Sequence, residues 1–150
     1  MRTLPTLARS LVLIGAALCA SAAGAVELRG FRGLMWGDAP SYLGPAQLVQ
    51  AEGSVACYRR ENENMLFGDS PLSAVRYCFN RDRLFLVVLD STVNLNGLLA
   101  DFKSGYGAPD VQTAAYARWG GAEANLMVDI STAAPGAAAT MRIVANEYAR

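Results

Sequence analysis

Residues 74–89 read Ala74-Val75-Arg76-Tyr77-Cys78-Phe79-Asn80-Arg81-Asp82-Arg83-Leu84-Phe85-Leu86-Val87-Val88-Leu89. Two mainly apolar runs, 74–79 and 84–89, flank the polar segment Asn80-Arg81-Asp82-Arg83. This is the pattern of an antiparallel hairpin whose four-residue loop suits a type I turn. The second run is apolar at every position, which predicts a central strand covered on both faces.

Beyond the hairpin the pattern changes period. Asn94 can cap a helix in which Leu95, Leu98, Leu99 and Phe102 recur at helical spacing, so that one apolar stripe faces a sheet while Asp101 and Lys103 face water. Gly105 and Gly107 end that helix ahead of Pro109. Three strands are expected next, over 115–119, 125–131 and 140–147, with Gly120-Gly121 and Ala134-Pro135-Gly136 as turns.

Upstream of the hairpin the signals are weaker. Residues 26–36 read as extended, with Leu28, Phe31 and Leu34 as apolar contacts, and Asp38-Ala39-Pro40 predicts a helix start. Gly44-Pro45 interrupts that helix, and residues 46–51 fit either its resumption or a strand. Residues 54–60 read as a strand and 61–71 as a long polar connection. Both halves then run helix first and three strands after. The expected fold is α+β, with helices packed on one face of an antiparallel sheet of about six strands, as two α-β-β-β halves.

The first 25 residues have a different character. Arg2 and Arg9 precede a ten-residue apolar run, 11–20, and Ala23-Gly24-Ala25 supplies small residues for cleavage. These are the parts of a secretory signal peptide, and the run is shorter than the roughly 20 residues needed to cross a bilayer. A lipid anchor on Cys19 is the other reading; Leu18 stands where a lipoprotein signal has a small residue. Residues 1–25 are thus expected to be removed and residues 26–150 to form a single domain, periplasmic or secreted, with no stable membrane span. Export leaves Cys57 and Cys78, each in a β-like run, and an oxidising compartment predicts one disulfide between neighbouring strands.

Composition narrows the chemistry. The 150 residues carry 13 basic and 13 acidic side chains and no histidine. Balanced charge argues against nucleic-acid binding as the main activity. Without histidine there is no Ser-His-Asp or Cys-His catalysis and no His-ligated zinc, and two disulfide-bonded cysteines make no metal site. No cofactor is expected. The carboxylates Glu61, Glu63 and Asp69 form the main acidic cluster, a pattern able to share acid and base roles if their environments differ. Tyr58 and Arg60 fall on one strand face and can grip an anion or stack on each other. Trp36, between glycines at a strand-to-helix junction, reads as a core plug or as the anchor of a partner surface spanning 33–36.

Phe31-Arg32-Gly33-Leu34-Met35-Trp36-Gly37-Asp38, Tyr77-Cys78-Phe79, Arg83-Leu84-Phe85, Tyr106-Gly107-Ala108-Pro109 and Trp119 together resemble a pattern in small exported bacterial proteins of uncharacterised function. The helix, Gly-x-Pro and strand-with-Trp order is also similar to that of small outer-membrane-assembly lipoproteins and of the tandem-repeat β-lactamase inhibitor protein. That resemblance implies an envelope-associated protein that binds other proteins and catalyses nothing. The functional expectation is a soluble extracytoplasmic binding or interaction protein with an envelope protein as partner; the rival is a hydrolase built on Glu61, Glu63 and Asp69. Oligomeric state is not legible in the sequence.

Overall fold

A computed structural model describes residues 28–150; the signal segment 1–25 and Cys19 lie outside the described residues. The central hairpin is present and longer than expected. One strand runs Ser70–Asn80 and its partner Arg83–Asn94, in antiparallel register from Asn80 opposite Arg83 to Leu72 opposite Ser91. Its loop is shorter than expected: Arg81 and Asp82 alone make the turn, with φ of 49° and 59°. Both central residues are left-handed, as in a type I′ turn, whose twist matches that of the flanking strands better than type I does. Neither is Gly or Asn, so the signal for this turn was absent from the sequence.

In chain order the strands are β1 (Gly30–Phe31), β2 (Leu34–Met35), β3 (Ala46–Glu52), β4 (Val55–Arg60), β5 (Leu66–Phe67), β6 (Ser70–Asn80), β7 (Arg83–Asn94), β8 (Val111–Gln112), β9 (Tyr116–Trp119), β10 (Leu126–Thr132) and β11 (Ala138–Ala145). One helix, α1 (Leu95–Tyr106), sits between β7 and β8. The main sheet has nine strands in the order β3-β4-β6-β7-β11-β10-β9-β8, with β5 beside β6; β1 and β2 pair separately. Every pairing is antiparallel.

This corrects the α+β expectation. The protein is mostly antiparallel β, with nine strands in its main sheet instead of about six and one α-helix among the described residues. There is no α-β-β-β repeat, because the helix expected from Asp38 is only a 3-10 turn, Pro40–Leu43. The Asp38 carboxylate turns back to accept the Met35 N–H at 2.8 Å, and the N-cap position falls to Ala39, which makes no side-chain cap bond. Gly44-Pro45 then releases the chain into β3, so residues 46–52 are a strand.

α1 forms as its sequence requires. Asn94 caps it by accepting the Gly97 N–H, and the stripe Leu95, Leu98, Leu99 and Phe102 is buried against β6, β7, β10 and β11. Phe102 packs edge-to-face on Trp119 at 4.5 Å between ring centroids and stacks on Tyr106 at 4.4 Å. On the same side of the sheet, Phe31, Leu34 and Leu43 cover Tyr77, Phe79 and Leu84 near the other end. Backbone bonds seat that N-terminal segment on β7: Gly37 N–H to Leu84 O and Leu84 N–H to Asp38 O, both 2.9 Å.

The core therefore lies on one side of the sheet only. Among the described residues no element covers the other side. That revises the reading of 84–89: Val87 and Leu89 enter the core, whereas Leu86 and Val88 lie on the other face, where Val88 is buried, 4% exposed, between Arg76 and Arg142.

Cys57 and Cys78 stand opposite each other in the β4–β6 ladder and form the expected disulfide, with Cα atoms 4.0 Å apart. It projects on the open face and ties the β3–β4 edge to the body of the sheet. Among the described residues no helix is long and apolar enough to cross a membrane.

Candidate functional site

The three carboxylates singled out by the sequence have separate surroundings. Glu61 is exposed in the turn after β4, where its N–H bonds Pro45 O at 2.9 Å. Asp69 is exposed in the β5–β6 turn. Glu63 alone is drawn inward, its side chain 8% exposed. It accepts from Arg32 Nη1 on one oxygen and from the Tyr77 hydroxyl on the other, both at 2.7 Å. Arg32 also donates to the Asn64 and Leu66 carbonyls. One guanidinium thereby clamps the 61–66 connection to the turn between β1 and β2.

Arg60 and Tyr58 belong to the same neighbourhood. The Arg60 guanidinium lies 4.9 Å over the Tyr77 ring and donates to Arg32 O at 3.3 Å. Tyr58 sits edge-on to Phe79 at 5.7 Å. Trp36 packs against the core with its indole N–H donated to Leu28 O at 2.8 Å. All three are part-buried and held by intramolecular contacts; the exposed member of the 33–36 segment's apolar residues is Met35.

Together Arg32, Glu63, Tyr77 and Arg60 make a clasp that fastens the N-terminal segment and the 61–69 connection over the sheet. Both Glu63 oxygens are occupied, and Tyr77 is fully buried. Burial, and next the hydrogen bond to Glu63, push the Tyr77 hydroxyl well above the ordinary tyrosine value of 10.0. A raised folded-state value favours the neutral phenol, so its contribution to stability is present below pH 10 and is lost as pH climbs beyond it. In an ultraviolet titration Tyr77 is expected to give no phenolate signal until the protein unfolds. Tyr77→Phe should leave the native-state amplitude unchanged and lower the unfolded amplitude by one of six tyrosines; a smaller native amplitude in the variant would contradict this placement.

The open face of the sheet is organised differently. Strand register aligns one row across it: Arg118 on β9, Asp129 on β10, Arg142 on β11, Val88 on β7 and Arg76 on β6. Arg59, opposite Gln47, shares this face near the β3 edge. Beside the row runs an apolar one, Met127, Val144, Leu86 and the disulfide. Arg118 pairs with Asp129 at 2.6 Å and Arg76 with Asp90 at 2.9 Å, while Thr140 donates to the other Asp90 oxygen. Arg142 is exposed and makes no ion pair among the described residues. Four arginines against Asp90, Asp129 and Glu52, which stands opposite Val55 on the same face, leave this face cationic by one charge in a chain of balanced charge.

A recess of about 300 Å³ lies at the tip of the β6–β7 hairpin, where Arg81, Arg83 and Arg150 alternate with Glu147. Asn80 beneath it donates to the Tyr148 and Arg150 carbonyls and accepts from Ser54, which pins the chain's last turn to the hairpin. Among the described residues no group of three metal-ligating side chains converges.

Sequence reasoning missed Arg32, Tyr77 and the arginine row. Arg32 and Glu63 are 31 residues apart, with no local signal joining them. The row had one: Arg142 alternates with the core residues Met141 and Ile143, which puts it on the outer face of a half-buried strand. No protein-family model, curated protein or solved structure matches the chain. The class rests on geometry: a one-sided antiparallel sheet with a covered core face and an open cationic one.

Proposed function

We propose that this chain is an extracytoplasmic binding protein that recognises an acidic protein partner through the open face of its sheet. The observation that carries the reading is the open-face row Arg118, Asp129, Arg142 and Arg76, with Val88 buried between the last two, beside the apolar row of Met127, Val144 and Leu86. Held on adjacent strands about 4.8 Å apart, these side chains form a fixed surface that needs little ordering on contact. Arg142, without an ion-pair partner among the described residues, is the donor best placed for a partner carboxylate, and a guanidinium can engage one bidentately. The signal-like residues 1–25 and the Cys57–Cys78 bond support an exported protein, and an envelope protein is the partner class that this compartment offers. The carboxylate-hydrolase reading finds less support, because Glu63 is spent in the clasp while Glu61 and Asp69 lie exposed in turns.

The test uses a fluorescent decaglutamate peptide as an acidic probe. Arg142→Gln is expected to weaken its binding about fivefold, whereas Arg81→Gln, an equal loss of charge at the hairpin tip, should leave it unchanged. Equal effects of the two variants would reduce the binding to net charge and overturn the assignment. Hydrolytic turnover lost in a Glu61→Gln, Glu63→Gln, Asp69→Asn variant that still folds would establish the rival.

A further inference from the structure

The two edges of the main sheet are unlike. At one end β8 is only two residues long, Val111–Gln112. At the other, β3 runs seven residues, Ala46–Glu52, and from Gln47 onward every side chain is exposed. Leu48 is 52% and Val49 40% exposed, and the strand contains no Lys, Arg or Pro. Protected edges usually carry such residues. β3 has one protective feature, a bulge at Val49 between the Leu48–Tyr58 and Gln50–Cys57 pairs.

Charge at this edge is polarised. Glu52, opposite Val55, lies at one end of β3; Arg59, opposite Gln47, lies beside the other. Val55 and Arg59 are four residues apart on β4, so both charges are on the open face. Both are exposed, and neither has an ion-pair partner among the described residues.

From this we infer that β3 docks on β3 of a second copy of the chain, antiparallel, about a two-fold axis perpendicular to the sheet between Val49 and Gln50. The axis sets Glu52 of each copy opposite Gln47 of the other, both on the open face. Arg59 then stands one strand further in, a lateral span of about 9.6 Å across two strand spacings, which extended Arg and Glu side chains bridge. The arrangement forms two equivalent Glu52–Arg59 pairs, one at each end. The bulge falls beside the axis, where Val49 of each copy stands opposite Gln50 of the other, and Leu48 opposite Ala51 and Gln47 opposite Glu52 keep the ladder pairing on either side. Leu48 of both copies lies on the same face, which leaves less apolar surface in water. Such an interface closes on itself, whereas β3 on the two-residue β8 would give an open chain. The acid at one end and the base at the other select a second copy over an unrelated strand. This inference is independent of how the open face is used; dimerisation would join two such faces into one.

Sedimentation velocity of the mature, disulfide-bonded protein is the test. A dimer is expected at about 100 µM, with its dissociation constant raised about tenfold by Glu52→Arg or by Arg59→Glu, each of which sets like charges together twice. Combining the two substitutions should restore the wild-type constant to within about threefold. Val49→Cys, beside the axis, should give a covalent dimer on mild oxidation, and Val111→Cys, at the opposite edge and similarly exposed, should not. A wild-type monomer at that concentration, failure of the combined variant to restore association, or equal cross-linking at the two edges would overturn the proposal.

Discussion

Replacing Phe102 by Ala is expected to remove about 3 to 5 kcal/mol of stability, enough to leave a domain of this size close to unfolding. Phe102 is fully buried and is the hub of an aromatic cluster, with Trp119 at 4.5 Å, Tyr106 at 4.4 Å and Phe67 at 6.2 Å. Those rings come from α1, β9 and β5, so truncation opens a void walled by three elements that cannot collapse together. The Trp119 indole donates to Gly107 O at 3.1 Å, which holds one wall in place. Denaturant titration checks the value. A midpoint within measurement error of the wild type would mean that α1 is not docked on the sheet.

Loss of the disulfide is expected to cost about 3 kcal/mol, and to cost it unevenly. Cys57 and Cys78 are 21 positions apart, and closing a loop of that length restricts the unfolded chain by about this amount in the chain-entropy model. Both cysteines are buried, so the paired variant Cys57→Ala, Cys78→Ala avoids placing hydroxyls there. The bond joins β4 to β6, and β3 reaches the rest of the sheet through β4 alone. Tyr58, packed on Phe79, is the main core contact of that edge pair. Amide exchange should therefore quicken first in β3 and β4, while α1 and β11 keep their protection. Uniform quickening throughout the chain would contradict an edge held by the bond.

What could be read from the sequence was what is local. Asn94 capping a stripe at helical spacing required no knowledge of the rest of the chain, and α1 followed. The runs either side of Asn80 and Arg83 needed only each other. The cysteines were few enough to pair by compartment. Long-range contacts overturned the rest. Residues 46–52 show no period because six of the seven side chains are exposed, so neither face leaves a pattern. The Asp38-Ala39-Pro40 signal failed because the Asp38 side chain found a nearer donor in Met35. β5 and β8, two residues each, exist only through their partners.

The candidate site divides in the same way. Glu61 and Glu63 are equivalent in sequence, yet one faces water and the other closes a clasp with Arg32 and Tyr77, residues distant in the chain. The arginine row is written as alternation, one residue per strand, and becomes a surface only when the strand order is known. All five strands of the row were legible in the sequence, but their order was not.

The central claim is that the sheet has a covered face and an open one, and that the open one binds. Its methionines test both halves in a single measurement. Met141 is fully buried on the core face, Met127 is part-exposed on the open face beside the arginine row, and Met35 is exposed on the N-terminal segment. The folded protein is oxidised with dilute peroxide, with and without decaglutamate, and each methionine is followed by peptide mass spectrometry. Met35 and Met127 should oxidise while Met141 does not, and the peptide should slow Met127 without slowing Met35. Oxidation of Met141 alongside Met127 would contradict the one-sided core, and a Met127 rate indifferent to the peptide would contradict recognition through the open face.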